Sequence, residues 1–232
     1  VIAPPSKAAE TTAPSVSTLL VDDNPSFRQG LQTLLNFYSS TGKLHCQVVG
    51  QATSVEQAVK LAAEQSPTLV LLDMELGQSN GLSYLQQRAD GHERVLVLSG
   101  HREDMSVFRA MQAGAHGYVF KSHLAEQLWP AITAVLDHQI YLSPDVATGF
   151  FRLFQFYNGG AGVSPMAIAL TEREQEVLHW LVQGASNGAI AEQLHITVAT
   201  VKAHLTAIFE KLEVKSRTQA IVKALKLGLV AA

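Results

Sequence analysis

Five polar side chains in this sequence stand where a short apolar run gives out. Asp22 and Asp23 follow the stretch 17–21, Asp73 ends Leu69-Val70-Leu71-Leu72, Ser99 follows 95–98, and Lys121 follows 118–120. Runs this short and this apolar read as strands buried on both faces of a parallel sheet. Such sheets take their ligands in the crevice outside the carboxyl ends of the strands, so these side chains should converge there. Three carboxylates in one crevice would repel until one took back a proton. A hard divalent cation with oxygen ligands, Mg2+ first of all, relieves that repulsion. Lys121 adds a positive charge able to pair with a carboxylate or an incoming phosphoryl oxygen. The set suits the placing of a phosphoryl group beside a nucleophilic carboxylate, Asp73. A single acid or serine at a strand end is more often a surface turn residue; a whole set at equivalent ends points to a site.

The elements that must hold this set alternate along the chain. Residues 1–15 are Ala, Pro, Ser and Thr with little to bury, a disordered leader by composition. A strand over 17–21 is followed by Asn24-Pro25, a helix start, with Phe27, Leu31, Leu34 and Leu35 at helical spacing. A second strand is expected over 44–52 and a helix capped by Ser54 carries Val55, Ala58, Val59, Leu61 and Ala62. Helices over 81–88, 104–113 and 124–137 alternate with strands at 95–98 and 118–120. Five strands alternating with five helices predict a doubly wound, five-stranded parallel sheet of the flavodoxin-like kind over residues 16–140. Pro130, inside the last helix, should remove one backbone bond and kink it.

Residues 141–167 read as a linker. Leu142-Ser143-Pro144 should break the preceding helix, Phe150, Phe151, Leu153, Phe154, Phe156 and Tyr157 crowd together, and a glycine-rich run follows. A linker helix packed on the first domain explains the aromatic cluster better than a dimer contact or a binding patch. The Gly-Gly-x-Gly run follows no strand, which argues against phosphate binding.

Residues 168–232 predict an all-α unit of four helices. Thr171-Glu172-Arg173-Glu174 is a capping box opening a helix that Gly184 terminates, and Ser186 caps a second helix. After the tight turn His195-Ile196, Thr197 caps a third, with Val198, Val201, Leu205, Ile208 and Leu212 as its buried face. Its other sides carry Thr200, Lys202, Ala203, His204, Thr206 and Lys211, and a last helix spans 217–227. Two short helices joined by a tight turn, the second polar and basic outside, form a helix-turn-helix pattern. Such readers bind paired half-sites as symmetric dimers, with Ile221 and Leu225 on the last helix as candidate interface residues.

Composition agrees with this division. At 232 residues the chain has room for two cores, and 47% hydrophobic against 16% charged residues is globular rather than disordered. The apolar runs are too short to span a bilayer, and the expected location is cytoplasmic. Cys46, the single cysteine, falls in a strand-like run and reads as a buried inert thiol. Net charge is −3, yet from Thr197 onward six Lys or Arg stand against two Glu, a balance that suits an anionic partner such as nucleic acid.

Val21-Asp22-Asp23, Leu72-Asp73 with Gly81 eight residues on, Ser99, and Gly117-Tyr118-Val119-Phe120-Lys121 together resemble the receiver domain of two-component response regulators. The resemblance implies that Asp73 accepts a phosphoryl group from a sensor histidine kinase. Asp22, Asp23, Asp73 and the backbone of Glu75 would hold Mg2+, and Ser99 and Lys121 would bind phosphoryl oxygens. Tyr118 would be the aromatic that turns inward when Ser99 shifts. Gly77 and Ser122 stand where the family commonly has proline, and Glu75 and His101 occupy positions that tune the lifetime of the phosphoryl group. Residues 168–232 are similar to the LuxR-type output domain of NarL/FixJ-type regulators. The resemblance rests on Leu170-Thr171-x-Arg173-Glu174, Gly184-x-Ser186-Asn187-x-x-Ile190-Ala191, Thr200-Val201-Lys202-x-His204 and Lys211-Leu212-x-Val214-x-x-Arg217. It implies a transcription regulator, not an enzyme, that binds promoter DNA through Lys202, Ala203 and Thr206. Lys211 and Arg217 are either backbone contacts or structural ion-pair partners. Gly188 replaces a frequent basic residue, which should weaken non-specific affinity.

Two rival readings use other chemistry. A Mg2+-dependent hydrolase with an aspartyl-phosphate intermediate shares the strand-end aspartate and could use Glu75 as general acid, but no substrate-cap insertion is visible. A regulator that signals by protein contact, or by redox at Cys46, needs no phosphorylation; the complete acidic set argues against it.

Overall fold

The computed structural model describes residues 15–42, 44–77, 79–88, 92–100, 102–144, 146–150, 153, 170–227 and 229–230. The leader up to residue 14, His101, most of the aromatic cluster and the glycine-rich run lie outside the described residues. Among the described residues eight strands and nine α-helices follow in order: β1 Ser15–Val21, α1 Pro25–Ser40, β2 His45–Ala52, α2 Val55–Gln65, β3 Leu69–Asp73, β4 Glu75–Leu76, β5 Ser79–Asn80, α3 Leu82–Gln87, β6 Arg94–Ser99, α4 Asp104–Gln112, β7 Gly117–Phe120, α5 Leu124–Leu136, β8 Tyr141–Leu142, α6 Glu172–Val182, α7 Asn187–Leu194, α8 Val198–Lys211 and α9 Arg217–Lys226.

The first domain is a doubly wound sheet with strand order β2-β1-β3-β6-β7-β8, every pairing parallel. It has six strands rather than the predicted five. The chain leaves α5 through His138, at φ 60, and Tyr141 and Leu142 then pair with Gly117 and Tyr118. Two residues of the expected linker are thus an edge strand, too short for a periodicity to announce it. All five residues of β3 are buried, and alternation splits the four apolar ones between two cores. Val70 and Leu72 join Val95, Val97 and Tyr118 on one face, while Leu69 and Leu71 join Leu96, Leu98 and Val119 on the other. Helix α5 runs through Pro130 from Leu124 to Leu136, its Ala131, Ile132 and Val135 buried against the sheet. Tertiary packing there outweighs one missing backbone bond. Cys46 is buried, as its strand placement suggested, and burial pushes its thiol up.

Helices α6 to α9 close on their own core of Val177, Leu178, Leu181, Ile190, Val201, Leu205 and Ile208. Thr171 and Glu174 form the reciprocal capping box, and Ser186, Thr197 and Ser216 accept the N-terminal amides of the next three helices. Gly184 takes φ 82 after α6, and His195 takes φ 52 in the turn between α7 and α8. Val198, expected in the buried face of α8, is 42% exposed: it occupies the first turn, ahead of the point where α8 meets the core.

Candidate functional site

The strand order turns back between β1 and β3, and the acids collect at that point. Asp22 directly follows β1 and Asp73 ends β3; both are buried, while Asp23 beside them is exposed. Carboxylate oxygens of Asp22, Asp23 and Asp73 lie within 4.8 Å of one another. Lys121, from the end of β7, reaches back and donates to Asp22 Oδ2 and Asp73 Oδ2, each at 2.7 Å. The remaining oxygens are also used: Asp22 Oδ1 accepts the Asn24 amide at 2.8 Å, and Asp73 Oδ1 accepts the Glu75 amide at 3.2 Å. Burial pushes the Asp73 carboxyl up to about 6, with Asp22 adding to it, against the opposing pull of Lys121 and the Glu75 amide. Burial alone would lower the Lys121 ammonium, but its bonds to the two carboxylates outweigh that and hold it above its ordinary value.

One lysine among three acids leaves negative charge uncompensated, and the donors are all oxygens with one carboxylate open to solvent. That donor set fits a hard divalent cation. Gly81 passes close against the backbone of Asp73: a Cβ there would lie 2.2 Å from the Asp73 carbonyl oxygen, so the chain can pass only without a side chain. Gly77, where a proline was the commoner expectation, has φ 60, which a proline ring cannot adopt. Ser99 is buried at the end of β6, one residue beyond Leu98, the partner of Asp73 across the ladder. Tyr118 is already fully buried, edge-on to Phe120 at 5.7 Å, and burial raises its phenol above its ordinary value. Sequence reasoning counted Phe27 only as a core position, yet its ring lies 4.2 Å from Lys121 Nζ. It also missed Arg28, which donates to the Asp22 backbone carbonyl at 2.6 Å. Only their placement one turn into α1, directly after Asp23, could have signalled either.

In the second domain, Thr200, Lys202, Ala203 and Thr206 are exposed along α8 and His204 is half-buried. Lys211 and Arg217 are engaged inside the domain. Lys211 Nζ pairs with Glu174 Oε2 at 2.6 Å, which also accepts the Thr171 amide at 2.7 Å. Arg217, 4% exposed, donates from Nη2 to the carbonyls of Ala185 at 2.6 Å and Leu181 at 3.3 Å, tying α9 to the end of α6. Both residues thus make contacts within their own domain, Lys211 as an ion-pair partner and Arg217 as a donor to backbone carbonyls.

Comparison with known proteins matches residues 18–133 to the response regulator receiver domain and residues 169–224 to the bacterial regulatory proteins of the luxR family. The response regulator protein VraR of Staphylococcus aureus (strain NCTC 8325 / PS 47) is 32% identical over 218 residues, covering 93% of this chain and 99% of that protein. The chain belongs to the LuxR-type response regulators. A LuxR-family response regulator from Aurantimonas sp. SI85-9A1 is 30% identical with a TM-score of 0.54, over 60% of this chain and 98% of that one. RcsB of Salmonella typhimurium, 16% identical with a TM-score of 0.53 over 89% of this chain and 97% of that one, shares the fold. This regulator therefore joins a receiver domain to a LuxR-type DNA-binding domain and serves two-component transcriptional regulation.

Receiver and output domain of this regulator pack directly on each other. Thr218 Oγ1 donates to the Ala115 carbonyl at 2.8 Å and Gln219 Nε2 to the Gln112 carbonyl at 3.2 Å, docking α9 at the end of α4. Val222 joins the receiver core cluster rather than its own domain's. Ile221 and Leu225, the candidate dimer residues, line an apolar cavity of about 290 Å³ with Met111, Ile140, Leu142 and Phe150 of the receiver. In this arrangement that face of α9 meets the receiver. Lys202 and Thr206 of α8 likewise face a cavity whose far wall is His92, Arg94 and His138 of the receiver. No sequence signal announced these contacts.

Proposed function

We propose that Asp73 is the phosphoacceptor of this regulator and that its phosphorylation by a sensor histidine kinase opens the receiver from the output domain, freeing α8 for promoter DNA and α9 for a homodimer. The observation that carries the reading is the Lys121 ammonium shared at 2.7 Å between Asp22 and Asp73 beside the open carboxylate of Asp23. An Asp73 carboxylate oxygen attacks phosphorus, the bond from phosphorus to the donor nitrogen breaks, and the histidine leaves. Asp22, Asp23, Asp73 and the Glu75 carbonyl would hold Mg2+, which when bound supplies charge neutralisation for the incoming phosphoryl oxygens. Lys121, released from one carboxylate, and the Ser99 hydroxyl would take those oxygens. The added charge of about −2 falls on a lysine that now ties two strands together, enough to bias a two-state packing.

On the DNA side, Thr200, Lys202, Ala203, His204 and Thr206 form the reading face, with Lys202 the phosphate or base contact of largest charge. The protein acts as a regulator and not as an enzyme, in the cytoplasm where kinase and promoter meet. Among the described residues no helix is long and apolar enough to cross a membrane. Intact mass after incubation with acetyl phosphate and Mg2+ tests the acceptor: wild type gains a phosphoryl adduct and Asp73→Asn does not. An adduct that persists in Asp73→Asn places the chemistry elsewhere. Promoter-fragment binding that is unchanged in Lys202→Ala sinks the DNA-reading face.

A further inference from the structure

Between the two domains lies a cavity of about 600 Å³ whose wall carries Arg94 and His138 from the receiver and Lys202, Lys215 and Arg217 from the output domain. Two acids, Glu210 and Glu213, also reach the wall, and Glu213 is drawn toward Lys223 at 3.7 Å. Among the described residues, no acid lies within ion-pair distance of Arg94, Lys202 or Arg217. Arg217, 4% exposed, keeps a buried donor, Nη1, without a hydrogen-bond partner. Arg94 donates to His138 Nδ1, which obliges that imidazole to be neutral. The cavity thus gathers more fixed positive charge than its own side chains answer, and buried donors in that state call for an acceptor.

We infer that this interdomain cavity binds a phosphate-bearing small anion, held by Arg94, Lys202 and Arg217, and that its occupancy clamps α8 against the receiver and opposes DNA binding. The volume is that of a small-molecule site rather than a single halide. A duplex cannot enter, because the receiver forms the far wall. The anion and DNA would compete for Lys202, so they are linked with opposite sign. The clamp rests on the reading of α8 as the DNA-reading helix; the anion site itself does not.

The test titrates inorganic pyrophosphate into the full chain by calorimetry, in EDTA at constant ionic strength, on an Asp73→Asn background that keeps phosphoryl chemistry at the acidic site out of the signal. We expect saturable binding below about 1 mM, absent for chloride, and weakened about tenfold by Arg94→Gln and by Lys202→Ala, each removing one charged hydrogen bond. No saturable heat, or wild-type binding in either folded variant, overturns the site. Should Arg94→Gln fail to fold, Lys202→Ala, an exposed position, decides. In parallel, saturating pyrophosphate should raise the Kd for DNA of the wild type, and the same rise in Arg94→Gln should take about tenfold more pyrophosphate. Binding of pyrophosphate without effect on DNA affinity overturns the clamp. DNA binding indifferent to Lys202→Ala would fail the reading of α8 while leaving the calorimetric result standing.

Discussion

The packing of α9 on the receiver makes DNA affinity a measure of how often the two domains part, and Thr218→Val is the sharpest way to change that. Thr218 is buried and its hydroxyl donates to the Ala115 carbonyl across the interface at 2.8 Å. Valine keeps the volume but removes the donor, leaving a carbonyl buried without a partner in the closed form only. Once the domains separate, water satisfies Ala115 in wild type and variant alike. The cost of a buried unsatisfied acceptor, about 1–3 kcal/mol, therefore falls on the closed form alone. Where the closed form dominates, apparent DNA affinity scales with the open fraction, and the variant should bind about 5–150-fold more tightly without phosphorylation. Fluorescence anisotropy on a promoter duplex measures this directly, and after saturating acetyl phosphate the two proteins should converge. A folded Thr218→Val chain that binds DNA no more tightly than wild type would refute the closed-state account.

Other substitutions separate structure from reading. Arg217→Met leaves the Ala185 carbonyl without its donor, while Leu181 keeps the Gly184 amide, and should lower the output domain's stability by about 1–3 kcal/mol in urea unfolding; unchanged stability with lost DNA affinity would return Arg217 to the DNA contacts. The closed interface should also loosen in acid. Burial, then Arg94, Lys202 and Arg217, hold His138 down to about 4, so the closed form keeps it neutral. Its contribution is complete above the ordinary histidine value of about 6.5. It declines as pH falls below that value, because opening removes Lys202 and Arg217 and lets the imidazole take a proton more readily, while Arg94, on the receiver itself, stays beside it in both forms. DNA binding by the unphosphorylated chain should tighten from pH 7.5 to about 5.5. His138→Gln should flatten that trend, and an undiminished slope in the variant would assign it to another group.

Much of this protein is legible along the chain because the signals are local. β3 reads as buried on both faces because its first four residues are apolar, and Asp73 is found by being the first that is not. The capping side chains of Thr171, Ser186 and Thr197 act within three residues of themselves, so the helix starts were visible without any tertiary context. The acid cluster follows from topology alone, since strands of a parallel sheet end on the same side. What the sequence could not decide is everything that depends on one distant segment meeting another. β8 is two residues long and exists because β7 offers it an edge. Lys211 and Arg217 are cations by composition, and only the approach of Glu174 and the end of α6 makes one an ion-pair partner and the other a buried brace. Ile221 and Leu225 are apolar on the outside of a small domain whichever partner covers them. Only the receiver's position makes that partner the chain itself. Hydrophobic burial and charge pairing are blind to sequence separation, so local pattern marks which faces are sticky and the fold alone chooses what they meet.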